Sequence, residues 1–299
     1  MAAMSNISKA ALETRRLKFQ PGTRVELVSM SDRYTDLKPG DRGEVTSVDA
    51  IGTVFVNWDS GSMLGVAYGA DKIRNLFTDQ LSIDTFDRLM DAYRAKSIDC
   101  SSALSSDNQY FNDIFINDLA DNEIYVDAGV GYVGTIVDFI FYTKGKYRKI
   151  YAFEPNPSTY FGLAEQLSDL RDVVVIQSGL YNFDGELTFE MGDGGSKVVK
   201  GGDTPVDTLP KIKVLKLDDF LQEPPTFIKM DIEGSEYNAL LGAQKLIREH
   251  KPKLAICAYH KNDDLIKLPL LIRELVPEYK LYLRHHSANL FETVLYAKV

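Results

Sequence analysis

Asp127-Ala128-Gly129-Val130-Gly131-Tyr132-Val133-Gly134 follows a short apolar run, Glu123–Val126, and opens a stretch with helical spacing. Glycines in such a strand-to-helix turn permit a tight backbone and close approach of a ligand. The free N–H groups at the start of the new helix favour electron-rich ligand atoms. Glu154 comes twenty residues after Gly134, at the end of a second apolar run, Lys149–Phe153. A carboxylate there is placed to bind a ribose diol, so the stretch predicts a site for a nucleotide-type cofactor.

The charge of Asp127 distinguishes between two cofactors that share the Gly-x-Gly-x-x-Gly spacing. An acid two residues before the first glycine would repel the pyrophosphate of NAD. The same acid suits the ammonium and sulfonium groups of S-adenosylmethionine. Glycines that only form a tight turn would explain the loop alone, but they do not explain Glu154. The pattern therefore favours S-adenosylmethionine.

A second run, Phe227-Ile228-Lys229-Met230-Asp231-Ile232-Glu233-Gly234-Ser235-Glu236, is an apolar strand that ends in three acids and continues into a helix. Carboxylates at the C-terminal end of a sheet strand lie over the ligand crevice. This Lys-x-Asp-x-Glu-Gly-x-Glu pattern, with the earlier loop and Glu154-Pro155, resembles the FkbM family of S-adenosylmethionine-dependent methyltransferases. The resemblance covers about residues 120–299, and it includes Val214–Leu221, Tyr259-His260, Leu281–His286 and Glu292–Ala297.

The resemblance implies a set of cofactor contacts at the carboxyl ends of the first three strands. Asp127 would face the ammonium group, the glycines would hold the methionine part, and Glu154 would bind the ribose hydroxyls. Asn156, beside Glu154, and the stretch 177–180 after the third strand would border the cofactor by position. The full set of implied cofactor residues is Asp127, Gly129, Gly131, Gly134, Glu154, Asn156 and Ser178.

The implied catalytic residues are Asp231, Glu233 and His260. Methyl transfer from a sulfonium mainly requires alignment of the nucleophile and removal of its proton. His260 follows the next strand, and a histidine with a near-neutral pKa can accept the proton of a substrate hydroxyl. A surface histidine beside Lys261 is the alternative. Glu236 begins a helix, where its charge complements the helix dipole.

Two further interpretations of these polar residues stay open. Asp231, Glu233 and His260 could hold a divalent metal that lowers the pKa of the acceptor hydroxyl. No close-spaced ligand motif requires a metal, so the sequence assigns no metal residue and does not favour a metal. Arg284, His285 and His286 end a strand, where they could contact an anionic or polyol substrate or simply be solvated.

Composition limits the class of protein. A chain of 299 residues with 44% hydrophobic residues exceeds one average domain and can form real cores. The net charge of −9 disfavours binding to nucleic acid or to an anionic membrane. Two cysteines and no secretory pattern fit a reducing cytoplasm. No apolar stretch reaches the roughly 18 residues needed to cross a bilayer, so we expect no membrane association.

The first part of the chain predicts a small all-β domain. After an N-terminal segment, residues 1–18, short β-rich runs over residues 19–76 are broken by Gly and Pro pairs at intervals typical of a small antiparallel barrel. This block resembles the SH3-like barrels, including their KOW-type members. Its acids outnumber its basic residues, which favours protein contact, self-association or scaffolding over RNA binding. The predicted strands are Arg24–Ser29, Gly43–Asp49, Thr53–Trp58 and Ser62–Val66.

A helical connector is predicted over residues 77–119. Apolar residues at helical spacing place a helix over residues 77–98. Residues 110–119 return to helical spacing and would form either part of a lid or an ordinary leading helix.

Residues 120–299 alternate between strands and helices, which predicts an α/β, doubly wound, Rossmann-like sheet. A helix is expected over residues 235–249 and a β-rich excursion over residues 186–220. The last two strands, residues 279–284 and 292–298, have no helix between them. They predict a terminal antiparallel hairpin, which the methyltransferase fold has and the six-stranded dinucleotide fold lacks.

Two functions follow from these patterns. The first is an S-adenosylmethionine-dependent methyltransferase that acts on a hydroxyl of a sugar or secondary metabolite. The second is a non-catalytic protein that binds a partner through the barrel and keeps the cofactor fold as a scaffold. The intact acids Asp127, Glu154, Asp231 and Glu233 favour the enzyme.

Overall fold

The computed structural model describes residues 7–19, 21–192, 195–198 and 210–299. The chain divides into two compact units, Met1–Asp87 and Arg88–Val299. Residues 1–6 of the predicted N-terminal segment, and residues 193–194 and 199–209 of the predicted excursion, lie outside the described residues. Within the described part of the chain, none of the helices combines the length and the apolar character that crossing a bilayer requires.

The described part of the first unit contains an N-terminal helix and a four-stranded antiparallel sheet. These elements are α1 (Lys9–Lys18), β1 (Arg24–Ser29), β2 (Arg42–Val48), β3 (Val54–Trp58) and β4 (Lys72–Asn75), in the sheet order β3-β2-β1-β4. Alternate residues of the strands, such as Val25, Leu27 and Val56, are buried in one core. Trp58 belongs to this core and donates its indole N–H to the Leu64 carbonyl at 2.8 Å.

One predicted strand of this unit is displaced. The predicted strand over residues 62–66 forms only a single bridge, between Val54 and Val66. The fourth strand of the sheet is β4, where Arg74 lies directly opposite Glu26 of β1 and pairs with its carboxylate. This cross-strand ion pair stabilises β4 at the edge of the sheet. The pair joins two charged residues, so the alternation of apolar residues does not predict this strand.

The second unit contains a seven-stranded sheet flanked by helices. Its elements are α2 (Gln80–Ala95, which begins within the first unit), β5 (Ile124–Ala128), α3 (Gly134–Tyr142), β6 (Lys149–Phe153), α4 (Pro157–Gln166), β7 (Val173–Ile176), β8 (Gly179–Leu180), β9 (Gly185–Gly192), β10 (Gly195–Val198), β11 (Lys211–Leu215), α5 (Leu217–Phe220), β12 (Phe227–Met230), α6 (Glu236–Gly242), α7 (Gln244–His250), β13 (Lys253–Cys257), α8 (Asp264–Leu275), β14 (Lys280–His285) and β15 (Thr293–Lys298).

The order of the large sheet confirms the predicted fold class. Its strands run β14-β15-β13-β12-β5-β6-β7. The five strands from β13 to β7 are mutually parallel, whereas β15 is antiparallel to both β13 and β14. The terminal hairpin is therefore present as predicted. Parallel strands direct their carboxyl ends to one edge, and the loops that follow β5, β6, β12 and β13 meet there.

A second, smaller sheet forms within the predicted excursion and beside it. Its order is β10-β9-β11-β8. Strand β11 pairs in parallel with β8, where Val214 lies opposite Gly179 and Leu215 opposite Leu180. Strand β8 follows directly after β7. Its pairing with β11 therefore places β11 at the same end of the large sheet as the glycine loop, residues 127–134.

Two predicted helices differ from the structure. The helix expected over residues 235–249 is divided into α6 and α7 at Ala243. Gly242 approaches the backbone of Tyr181 so closely that a Cβ atom there would lie 1.9 Å from the Tyr181 carbonyl oxygen. Residues 110–119 form turns and a short 3-10 helix, Ile116–Asp118. The Asn108 side chain accepts the backbone N–H groups of residues 110 and 111, and the chain continues from there as turns.

Candidate active site

The glycine loop is held by the two neighbouring strands. Gly129 has a positive φ of 76°, and a Cβ atom there would lie 1.8 Å from the Asp231 carbonyl oxygen. Only glycine fits this position. Gly131 also has a positive φ, of 58°, and donates its N–H to Glu154 at 3.3 Å. Gly134 begins α3. The loop therefore exposes backbone at the carboxyl edge of the sheet, as the sequence predicts.

Asp127 has a different partner in the structure from the one that the sequence predicts. Its side chain is fully buried and forms an ion pair with Lys229 at 3.0 Å. It also accepts hydrogen bonds from the Tyr125 hydroxyl, at 3.2 Å, and from the Thr135 hydroxyl. The reason is the register of the sheet, which places Lys229 of β12 opposite Asp127 of β5. The carboxylate thus supports the glycine loop from the buried side, through its ion pair with Lys229.

Lys229 connects this ion pair to the loop backbone. Its ammonium group donates to the Gly129 carbonyl at 2.8 Å and lies 5.3 Å from the centre of the Tyr110 ring. Burial would lower the pKa of Lys229, but the charges of Asp127 and Asp231 raise it, so the residue stays cationic. The sequence pattern contains this lysine but does not show its partner.

Glu154 and Asn156 lie in the loop between β6 and α4. Glu154 follows β6 and accepts hydrogen bonds from the backbone N–H groups of Asn156, at 2.8 Å, and Gly131. Burial raises the pKa of Glu154, and these hydrogen bonds oppose the increase. Asn156 caps α4, since its side-chain oxygen accepts the N–H of Ser158 at 2.9 Å. Both residues line the central cavity described next.

A cavity of about 540 Å³ lies at the carboxyl edge of the large sheet. One part of its wall is apolar and another is rich in polar side chains, and the glycine loop and Glu154 lie between them. The apolar part consists of Phe153, Leu180, Ile212 and Val214, and the polar part of Gln109, Tyr110, Asp231, Glu233, Tyr259 and Glu292.

Several of these lining residues were not found from the sequence. Ile212 and Val214 alternate with lysines in β11, and this period-two pattern could have marked them as one buried face. Tyr110 begins the segment interpreted as a leading helix or a lid, and Gln109 directly precedes it. Glu292 lies in the loop before β15 and begins a stretch that carries part of the family resemblance, but the sequence assigned it no role.

Among the described residues that line the cavity, four of the predicted site residues are not found: Asp127, Gly134, Ser178 and His260. The Ser178 hydroxyl is buried and donates to backbone carbonyls, with contacts of 3.1 Å to Gly179 and 3.2 Å to Lys213. It therefore holds β8 and β11 together, and its neighbours Gly179 and Leu180 form the cavity wall instead.

Asp231 is held by two tyrosines at the polar part of the cavity. Tyr110 donates its hydroxyl to Oδ2 of Asp231 at 3.0 Å, and Tyr259 donates to Oδ1 at 3.2 Å. Burial raises the pKa of both phenols well above the ordinary value, so both remain protonated donors. The two phenols fix the orientation of a carboxylate that faces the cavity.

His260 lies directly behind this carboxylate. Its Nε2 atom is 3.4 Å from Asp231 and 3.7 Å from Glu233, so the structure brings together the three predicted catalytic residues. Its Nδ1 atom is 2.9 Å from Glu236. Burial would lower the pKa of His260, but the hydrogen bond to Glu236 and the charges of Glu236, Asp231 and Glu233 raise it. The sequence assigned Glu236 only a helix-dipole role and missed this contact.

The same cluster contains the one metal-compatible group identified among the described residues. Asp231, Glu236 and His260 each offer a ligand atom, and these atoms lie within 4.8 Å of one another. The set differs from the one considered for the sequence, because Glu236 takes the place of Glu233. His260 already contacts Asp231 and Glu236, Asp231 accepts hydrogen bonds from the two phenols, and no metal is assigned.

The strand-end residues considered as substrate contacts are engaged elsewhere. Arg284 is buried, and His285 bonds to the Thr293 hydroxyl at 2.7 Å. His286 contacts the Tyr296 hydroxyl at 2.9 Å, and burial lowers its pKa to about 4. None of the three is found among the described residues that line the cavity.

Comparison with known proteins places this site in context. A family model described as the methyltransferase FkbM domain matches residues 126–287, and a domain of unknown function, DUF4314, matches residues 8–76. The crystal structure of methyltransferase FkbM from Methylobacillus flagellatus is similar at 30% identity with a TM-score of 0.61. That match covers 74% of this chain and 56% of the other.

Two further solved structures are more distant. An rRNA methylase from Streptococcus thermophilus is 18% identical with a TM-score of 0.37, over 62% of this chain and 90% of the other. A Streptococcus mutans protein described as a methyltransferase in complex with SAH is 16% identical with a TM-score of 0.39, over 62% and 94%. No match is found among curated proteins.

Proposed function

Because the chain belongs to the FkbM methyltransferase family, we propose that it transfers the methyl group of S-adenosylmethionine to a hydroxyl oxygen of a sugar or a related metabolite. The observation that carries the proposal is the position of Asp231. This carboxylate faces the cavity, and the imidazole of His260 lies 3.4 Å behind it. A carboxylate and a base at one end of a cofactor-sized cavity are what proton removal from a hydroxyl requires.

The cavity wall supports the cofactor assignment. The apolar part suits the adenine ring, and Glu154 is placed beside it for the ribose hydroxyls. The exposed backbone of Gly129 and Gly131 suits the methionine part. This arrangement would direct the sulfonium toward Asp231 and Glu233, whose negative charges attract it.

The transfer itself needs few groups. The acceptor oxygen forms its bond to the methyl carbon while the carbon–sulfur bond breaks, and the sulfonium becomes a neutral thioether. The proton of the hydroxyl must leave at the same time. We assign Asp231, which lines the cavity, to hold the acceptor hydroxyl, and its carboxylate to pass the proton to Nε2 of His260, 3.4 Å behind it. Glu233 lies beside both and adds negative charge near the reacting centre.

The charge of the wall supports a neutral acceptor. Of the described lining residues, Glu154, Asp231, Glu233 and Glu292 are acidic, and Lys229 is the only cation. Lys229 is paired with Asp127, so it offers no counter-charge to a phosphate or carboxylate. An anionic acceptor would therefore be repelled, whereas the hydroxyls of a polyol can donate to the acids.

Calorimetry and a transfer assay test this proposal. We expect S-adenosylhomocysteine to bind and NAD not to bind. With methyl-labelled S-adenosylmethionine, neutral monosaccharides and glycosides should accept label, and the matching sugar phosphates and uronic acids should not. NAD binding without S-adenosylhomocysteine binding would refute the cofactor assignment. Preferential labelling of the anionic sugars would refute the acceptor assignment.

A further inference from the structure

Glu236 and His260 form a buried acid–imidazole pair behind the polar part of the cavity. Oε1 of Glu236 lies 2.9 Å from Nδ1 of His260 and also accepts the N–H of Ile232 at 2.9 Å. The side chains are 1% and 9% exposed. The contact of Nδ1 with Glu236, at 2.9 Å, is closer than the contact of Nε2 with Asp231, at 3.4 Å, and it favours a proton on Nδ1 in the neutral imidazole because a carboxylate only accepts hydrogen bonds. Nε2 then carries the free lone pair.

The loop after β12 brings Glu236 and His260 together. Strands β12 and β13 are parallel neighbours, so the residues that follow them lie at the same edge of the sheet. The backbone then takes left-handed values at Glu233, with φ of 55°, and at Gly234, with φ of 87°. This turn brings Glu236 back to the N–H of Ile232 and within reach of His260.

The two nitrogens of the imidazole have different surroundings. Nδ1 faces the buried Glu236, whereas Nε2 faces two carboxylates that line the cavity. The ring packs against Tyr259, with 4.1 Å between ring centres. The charged groups near the ring are Asp231 and Glu233 after β12, Glu236 on α6, and Lys261 and Asp264 at the start of α8.

We propose that Glu236 is a positioning residue that holds His260 in the Nδ1–H tautomer and directs Nε2 toward the polar part of the cavity. The inference rests on the proposed function, because it states how the base is presented to the acceptor hydroxyl. When the oxygen–methyl bond forms and the carbon–sulfur bond breaks, the hydroxyl proton passes through the Asp231 carboxylate to Nε2. Glu236 stabilises the imidazolium that results, as a buried acid does for a catalytic histidine in other enzymes.

Nitrogen-15 NMR of the full chain saturated with S-adenosylhomocysteine tests the tautomer directly. The chain has four histidines, and His260→Gln assigns the relevant signals. At a pH where His260 is neutral, the unmutated protein should show Nδ1–H alone. Glu236→Leu should show both tautomers, and Glu236→Gln should largely keep Nδ1–H because its amide oxygen can still accept. Asp264→Asn, which removes a buried acid not bonded to the ring, should leave the tautomer unchanged.

Kinetics supply the second readout. Glu236→Leu should lower kcat about 10²-fold, with KM for S-adenosylmethionine within about twofold, and Glu236→Gln should recover part of the loss. A purely structural glutamate would instead alter cofactor affinity and kcat together. An unaltered Nδ1–H signal in Glu236→Leu would overturn the inference. So would a Mg²⁺ titration that moves the His260 signals of the unmutated protein but not those of Glu236→Leu, because the cluster would then be a metal site.

The NMR and kinetic measurements distinguish a failure of this inference from a failure of the proposed function. The NMR measurement needs no acceptor. If Glu236→Leu loses the single tautomer while the unmutated protein methylates amines and no hydroxyl, the positioning role of Glu236 stands and the hydroxyl assignment is overturned.

Discussion

Lys229 and Asp127 lie opposite each other on neighbouring parallel strands and form an ion pair of 3.0 Å whose side chains are 2% and 0% exposed. The lysine also holds the Gly129 carbonyl. The glycine loop therefore rests on a buried charge pair, and Asp127 supports the loop through this pair.

Removal of one partner of that pair should be costly. We expect Lys229→Met to lower the free energy of unfolding by about 3–5 kcal/mol, because Asp127 would be left as an unpaired buried charge. The exposed pair of Lys146 and Asp121 is the matched control. Lys146→Met should change stability by less than about 1 kcal/mol. Urea unfolding of the three proteins measures both values, and equal effects would contradict the prediction.

Gly129 should tolerate no side chain. Gly129→Ala combines a positive φ with a Cβ atom 1.8 Å from the Asp231 carbonyl oxygen, so the loop must shift. We expect binding of S-adenosylhomocysteine to weaken at least tenfold. Gly145 has a similar φ of 70° but nothing within 4 Å of its Cβ position. Gly145→Ala should cost about 1 kcal/mol of stability from backbone strain and leave binding intact. Calorimetry on both variants makes the comparison.

Glu154 should contribute directly to cofactor affinity. Glu154→Ala removes a cavity-lining carboxylate and should weaken S-adenosylhomocysteine binding by about 1–3 kcal/mol. Glu165, an exposed acid on α4, provides a control of equal charge change. If Glu165→Ala and Glu154→Ala weaken binding equally, the effect is one of overall charge, and Glu154 does not bind the ribose.

The raised pKa of His260 predicts two effects of pH. Its protonated form gains interactions with Glu236, Asp231 and Glu233 on folding, so its contribution to stability is complete below the unfolded value of about 6.5. That contribution is lost as pH rises through the higher folded pKa. The stability difference between the unmutated protein and His260→Gln should therefore shrink as pH rises above that range, as urea unfolding can measure. Transfer should accelerate over the same range, because only neutral His260 can accept a proton.

The N-terminal region should be dispensable for cofactor binding. The methyltransferase motifs all lie after residue 120, so a protein that lacks residues 1–76 should bind S-adenosylhomocysteine with affinity within about threefold of the full chain. Calorimetry checks the affinity, and circular dichroism checks that the shortened chain is folded. A folded but non-binding product would show that the predicted boundary of the cofactor domain is wrong.

The sequence by itself determined the alternation of strands and helices in the large sheet, the terminal hairpin and the position of the glycine loop. These features depend on local signals: the period of apolar residues, glycines where the backbone turns, and acids at strand ends. Asp231, Glu233 and Glu154 were therefore found at the carboxyl edge, because any parallel sheet brings its strand ends together.

Only the tertiary structure decided which side chains meet. The pairing of Asp127 with Lys229 and of Glu236 with His260 depends on sheet register and on a left-handed turn at Glu233. The Ile212 side of the cavity wall depends on β11 joining a second sheet. Each such contact joins residues that are far apart in the chain or on opposite sides of a turn. The period of apolar residues shows which face of a helix or strand is buried. The partner of each polar side chain, and the distance to that partner, are set only when the elements pack.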